Sequence, residues 1–168
     1  KMSTNLLILG VIFVSESNVE KKAVLDLKFL SHGTLEVHDI NKSAEFYQDF
    51  LGLEFVRTTN ISGKVRLGGE HVYVVVEGGK GHKMAFTNHN GLDVPTKEDV
   101  DKAHALCKEH KAQWGIKSLT EPKEAHEVYA FYFRDLDGNW WEILNNPKGG
   151  YSWRFEKYKT EAPKTISL

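Results

Sequence analysis

Residues 30–52 read LSHGTLEVHDINKSAEFYQDFLG, and the fold is decided there. From Gly33 the odd positions Gly33, Leu35 and Val37 are small or apolar, while the even positions His32, Thr34, Glu36 and His38 are polar. Side chains of a strand alternate between its faces, so this is a half-buried strand with one apolar face and one histidine-rich face. From Asn41 the period changes. Ala44, Tyr47 and Leu51 recur at helical spacing, Asn41 is of a type that caps a helix start, and Gly52 of a type that ends one. Three strand candidates follow, Leu53 to Thr58, Lys64 to Leu67 and His71 to Glu77, punctuated by Gly63, Gly68 and Gly69.

The same order recurs downstream. Gly81 to Asn88 is the opening strand of a second half. A helix from Lys97 to Trp114 follows, with Val100, Ala103, Cys107, His110 and Trp114 along one face. A short strand is expected at Lys117 to Leu119. Longer ones are expected at Ala125 to Arg134 and Asn139 to Asn145, joined by the turn Asp135-Leu-Asp-Gly138. Strand, helix, three strands, given twice, predicts an α+β fold of two βαβββ modules, about 28–79 and 80–146. Their mixed sheets would curl into one open barrel, a cup, with the helices outside and a polar, histidine-bearing strand face lining it.

Residues 1–27 form an N-terminal arm or extra strand. Their apolar run, Leu6 to Val14, is far shorter than the roughly 20 residues of a bilayer-spanning helix. A buried strand and a retained targeting segment are both open readings for it. Residues 147–168 are a tail whose Tyr151-Ser-Trp-Arg-Phe155 is aromatic and basic. It could close over a pocket, meet another subunit, or pack on its own domain. The 168 residues carry 22 Lys and Arg against 23 Asp and Glu, a net charge of -1, which excludes nucleic acid or an anionic membrane as the main partner. One cysteine excludes an internal disulfide, so a reducing, cytoplasmic setting is expected.

Eight histidines are more than a core of this size needs. His32 and His82 stand near the start of the opening strand of each half, and Glu142 stands in the last strand. If the two equivalent strands lie side by side at the centre, these side chains converge. Two histidines and one carboxylate with open positions are the ligand set of non-haem Fe(II) oxygenases.

The stretches LSHGTLEVHDINKSAEFYQDFLGLEFV, GHKMAF and YFRDLDGNWWEIL, with the element order, resemble the vicinal oxygen chelate superfamily over roughly residues 28–146. That group includes glyoxalase I, bleomycin and fosfomycin resistance proteins, and extradiol dioxygenases. The resemblance implies a divalent metal on His32, His82 and Glu142, Fe(II) first, with Mn(II) or Zn(II) as alternatives. It also implies a small-molecule substrate, O2 as a second one, and a homodimer as the common assembly. Glyoxalase I-like members use a further ligand near Tyr73 or Val74, which are poor donors.

The segment from His126 to Glu142 resembles the extradiol dioxygenase signature at Phe131-Tyr132, Asp135, Gly138 and Glu142. Leu136 stands where that signature has proline, and His126 is about one residue too close to Tyr132. The resemblance implies that Tyr132 hydrogen-bonds a metal-bound substrate oxygen and that His126 moves protons, with His71 a second acid/base candidate. Met84, Phe86, Trp140 and His38 are expected pocket residues, His89 loop surface, and Cys107 core. The expected function is Fe(II)-dependent ring cleavage of a catechol-like aromatic. The alternatives are a glyoxalase-like isomerase or lyase, a fosfomycin-resistance-like thiol transferase, and a non-enzymatic drug-binding resistance protein.

Overall fold

The alternation in the opening strand is realised in space. In β1 (His32–Val37), Leu35 and Val37 are buried while His32 and Thr34 are exposed. The computed structural model describes residues 24–25, 27–78 and 84–160. α1 (Ile40–Glu45) starts at Asp39, whose carboxylate accepts the backbone N–H groups of Asn41 and Lys42. Asp39, two residues before Asn41, is therefore the cap. A π-helical turn (Phe46–Phe50) continues α1, and the chain leaves it through Gly52 at φ 69, a conformation glycine adopts without strain. β2 (Glu54–Arg57), β3 (Ser62–Arg66) and β4 (Val72–Glu77) complete a sheet of order β1-β4-β3-β2, in which β1 runs parallel to β4.

The second half repeats this topology. β5 (His89–Asp93) runs parallel to β9 (Trp140–Asn145), which pairs antiparallel with β8 (Val128–Arg134). β6 (Ser118–Leu119) and β7 (Lys123–Ala125) both pair with β8, and α2 (Lys97–Glu109) follows β5. α3 (Ser152–Thr160) lies in the expected C-terminal tail. The fold is α+β, with two open sheets and no closed barrel among the described residues. Among the described residues no helix is long and apolar enough to cross a membrane.

Four expectations are corrected. Of the expected strand Gly81 to Asn88, residues 81–83 lie outside the described residues, while 84–88 are loop and turn, with Asn88 N–H donating to the Ala85 carbonyl at 2.8 Å; the first described strand of the second half starts at His89. Asn90, Gly91 and Asp93 are poor strand formers, so β5 exists because β9 pairs with it. Second, β1 and β5 do not lie side by side; among the described residues each is an edge strand of its own sheet. Third, α2 ends at Glu109, five residues short of Trp114, and the chain turns through Gly115 at φ 65. Fourth, the expected strand Ala125 to Arg134 is split. His126 (φ 51) and Glu127 (φ 66) make a two-residue turn flanked by the pair Ala125 and Val128. Positive φ at both centres is the type I′ hairpin pattern, usually signalled by Asn or Gly, and neither is present here.

The inner faces of both sheets meet the helices in one core. Leu35, Val37 and Val75 come from the first sheet, Phe131, Phe133 and Trp141 from the second. The β8–β9 turn locks the halves together. One Asp135 carboxylate oxygen accepts the N–H groups of Asp137, Gly138 and Asn139 at 2.8–2.9 Å, and the other accepts Trp141 Nε1–H at 2.9 Å. Burial pushes this carboxyl up to about 6, against those lowering hydrogen bonds. Asp137 accepts the His38 backbone N–H at 2.8 Å and the Ser43 hydroxyl at 2.7 Å, and His38 Nδ1 lies 3.0 Å from it. His38 is thus engaged by this turn.

Candidate functional site

β8 and β9 each turn alternate residues away from the core, and cross-strand partners share a face. Tyr132 is opposite Glu142, and Arg134 is opposite Trp140. Across the parallel pair, His89 is opposite Trp140 and Gly91 is opposite Glu142. His89, Tyr132, Arg134, Trp140 and Glu142 therefore gather on one face. Gly91 has no side chain; a Cβ there would lie 3.8 Å from Glu142 Oε2 and 3.3 Å from Leu144 Cδ2.

Tyr132 and Glu142 are 8% and 6% exposed, and the tyrosine hydroxyl donates to Glu142 Oε1 at 2.7 Å. Burial first, then this hydrogen bond, push the phenol above its ordinary range, so Tyr132 stays protonated and a donor. His89 Nδ1 lies 3.0 Å from the Phe86 carbonyl oxygen. A carbonyl can only accept, so Nδ1 carries the proton, and in the neutral ring Nε2 keeps its lone pair. That Nε2 lies 3.5 Å from Glu142 Oε2. Two electron-pair donors thus face each other with no donor group between them, an arrangement satisfied by a shared proton or a cation.

Aromatic rings enclose the pair. The Phe86 ring centroid is 4.8 Å from that of Tyr132 and 5.1 Å from that of Trp140, and His89 is 4.9 Å from Tyr132, all inclined or edge-to-face. Phe86 itself is 46% exposed, so it forms the outer rim. Tyr151 stands nearby; burial and then the Glu142 charge raise its phenol. It precedes α3, which is tied to the β7–β8 turn: Arg154 donates to the His126 carbonyl and Lys157 Nζ lies 2.7 Å from Glu127 Oε1.

Of the expected site residues, Glu142, Tyr132, Trp140 and Phe86 come together. His32 does not join them. It is exposed at the start of β1, with Nδ1 2.8 Å from the Ser31 hydroxyl. His82 lies outside the described residues. Among the described residues no three His, Cys, Asp or Glu side chains cluster closely enough to hold a metal. His71 is exposed beside Tyr73 in the first sheet, with Nδ1 3.3 Å from the Leu30 carbonyl oxygen. His126 sits in the turn, outside the strand face it was expected to share with Tyr132. Met84 packs against the main core.

His89, expected on a surface loop, is the residue that faces Glu142. Its place follows from the helix caps that the structure reveals. The cap of α1, Asp39, lies seven residues after His32, and the cap of α2, Thr96, lies seven residues after His89. Equal spacing to the helix start makes His89 the counterpart of His32. By the same register Val74, opposite Thr34, is the counterpart of Glu142.

The model of the Glyoxalase/Bleomycin resistance protein/Dioxygenase superfamily matches residues 29–143. No curated protein matches the chain in sequence. Among solved structures, a possible glyoxalase from Bacillus cereus is 26% identical, with a TM-score of 0.59 over 70% of this chain and 99% of that one. The fosfomycin resistance protein FosX from Listeria monocytogenes, complexed with Mn(II) and sulfate ion, is 23% identical, with a TM-score of 0.61 over 79% and 99%. Lactoylglutathione lyase from Agrobacterium tumefaciens is 16% identical, with a TM-score of 0.55 over 74% and 98%. At such identities the last two establish a shared fold alone.

Proposed function

Because this chain belongs to the glyoxalase/bleomycin resistance protein/dioxygenase superfamily, we propose that it is a metal-dependent enzyme whose small-molecule site is the face holding His89, Tyr132, Trp140 and Glu142. The observation that carries the reading is the opposition of His89 Nε2 and Glu142 Oε2 at 3.5 Å, with the imidazole proton held on the far side by Phe86. A neutral imidazole and a carboxylate suit a borderline divalent ion, and bonds of about 2.0–2.2 Å to each fit between donors at this spacing. An outer hydrogen bond that sets the ligand tautomer is a regular feature of metal-bound histidine. When bound, such an ion acts as a Lewis acid on a substrate oxygen. The chain's own groups do the rest. Tyr132 holds Glu142 Oε1 and keeps its proton for donation, and Phe86 and Trp140 exclude water from one side of a flat substrate.

A third donor is assigned to His32 of a second copy. In its own chain His32 is exposed on an edge strand of the other sheet, and it is the counterpart of His89. His82 is the other candidate for this position.

Ring cleavage of a catechol-like substrate with Fe(II) and O2 is the first reaction reading. It is supported by Tyr132 beside Glu142 and by the aromatic rim, and it loses the support of His126, which lies in a turn. That loss favours the second reading, a glyoxalase-like or fosfomycin-resistance-like reaction with Mn(II) or a similar ion.

Anaerobic titration with Fe(II), Mn(II) and Zn(II) tests the metal. Binding is expected in the wild type and at least about 100-fold weaker in His89→Ala and Glu142→Gln. Absence of binding by the wild type would refute the reading. Mixing His32→Ala with His89→Ala chains restores one intact site per dimer if His32 crosses over. Oxygen uptake with a panel of catechols separates the first reaction reading from the second.

A further inference from the structure

Arg134 ends β8 on the same face as Tyr132, opposite Trp140 on one side and Ser118 of β6 on the other. Its guanidinium carbon lies 5.7 Å from the Trp140 ring centroid, a cation over an aromatic face. The residue is half-buried, and its Nε is buried with no hydrogen-bond partner among the described residues. Leaving a guanidinium N–H out of water and unpaired is costly, and native structures tolerate this where another group is to be met. Glu142, the carboxylate placed on this face above, already accepts from Tyr132 and faces His89.

We propose that Arg134 is a specificity-determining residue that binds the carboxylate of an aromatic acid whose ring lies against Trp140 and Phe86. The guanidinium is planar and presents paired N–H donors that match a carboxylate. Ser118, its cross-strand neighbour, adds a hydroxyl on the same face. One cation matches one negative charge, so a monoanionic carboxylate suits the site better than a dianion. Trp140 is two residues from Glu142 on one strand, so the carboxylate end and the His89–Glu142 end of the ligand would be separated by about 7 Å. A substrate with an acidic group at one end of a flat ring and a reactive group at the other spans that distance. This inference rests on the reading of the face as a ligand site, but not on the metal.

The test is a titration of the full chain with benzoate and with uncharged benzamide, in the presence of a chelator so that no metal supplies the charge. Binding is read from the Trp140 indole resonance. Benzoate is expected to bind the wild type roughly 10- to 100-fold more tightly than benzamide. In Arg134→Met, benzoate should fall to the benzamide level while benzamide is unchanged; Arg134→Lys should recover part of the preference. Unchanged benzamide binding also establishes that the variant is folded. Equal binding of the two probes by the wild type, or a preference that survives Arg134→Met, overturns the proposal. Failure of the wild type to bind metal, with the benzoate preference intact, would remove the metal reading and leave this one standing.

Discussion

Replacing Tyr132 by Phe isolates the hydrogen bond at the centre of the site. The substitution deletes one oxygen and leaves the ring against Phe86 and His89, at 4.8 and 4.9 Å between centroids. What is lost is a 2.7 Å bond to a carboxylate between residues 8% and 6% exposed. Little water can replace the hydroxyl, so the cost is that of a buried bond to a charged acceptor, about 1.5–3 kcal/mol. For a chain of this length, a loss near 2 kcal/mol lowers Tm by about 4–8 °C. The assay is urea unfolding at fixed pH with Glu142→Leu and the double variant completing a cycle. Leu removes the acceptor without introducing a new polar contact. A coupling of about 1.5 kcal/mol or more is expected, because each single change breaks the same bond. Additivity within about 0.5 kcal/mol would refute the reasoning, because it would mean that the hydroxyl contributes nothing specific to the carboxylate.

Two further outcomes follow from burial elsewhere. Asp135 has its carboxyl raised from 3.8 to about 6, so its favourable protonated state is fully present below pH 3.8 and is lost as pH rises through 6. The stability advantage of the wild type over Asp135→Asn should therefore shrink by something of order 2 kcal/mol between pH 4 and 6.5, and a constant gap in urea unfolding would contradict burial as the dominant cause. Burial pushes the Cys107 thiol up to about 12. At pH 8 its reaction with a thiol reagent should be at least about 100-fold slower in the native protein than in urea, and equal rates would show that it is not buried.

Much of this architecture is local and could be read directly. Leu35 and Val37 alternate with His32 and Glu36 in a strand because strand faces alternate along the chain itself. Asp135 announces its turn because a short polar side chain satisfies the backbone N–H groups that follow it. Tyr132 and Glu142, on strands joined by that short turn, could be paired from sequence because a hairpin carries its register with it. His126 was harder. Its positive φ, beside that of Glu127, is held by a fold that sets α3 against the turn, and no glycine or asparagine marks it.

The identity of the histidine that meets Glu142 lay beyond local reading. His82 stands in the more strand-like sequence, and His89 in one containing Asn, Gly and Asp. Pairing of β5 with β9 overrides that preference and puts His89 opposite Trp140, next to the carboxylate. The separation of His32 from this pair was equally non-local, since it depends on β1 and β5 being edges of different sheets. The sequence by itself determined the repeated order of elements, the faces of β1, β8 and β9, and the chemistry of their side chains. Only the tertiary structure decided which of those side chains share a site, because strand partners are chosen by packing and pairing between segments far apart in the chain.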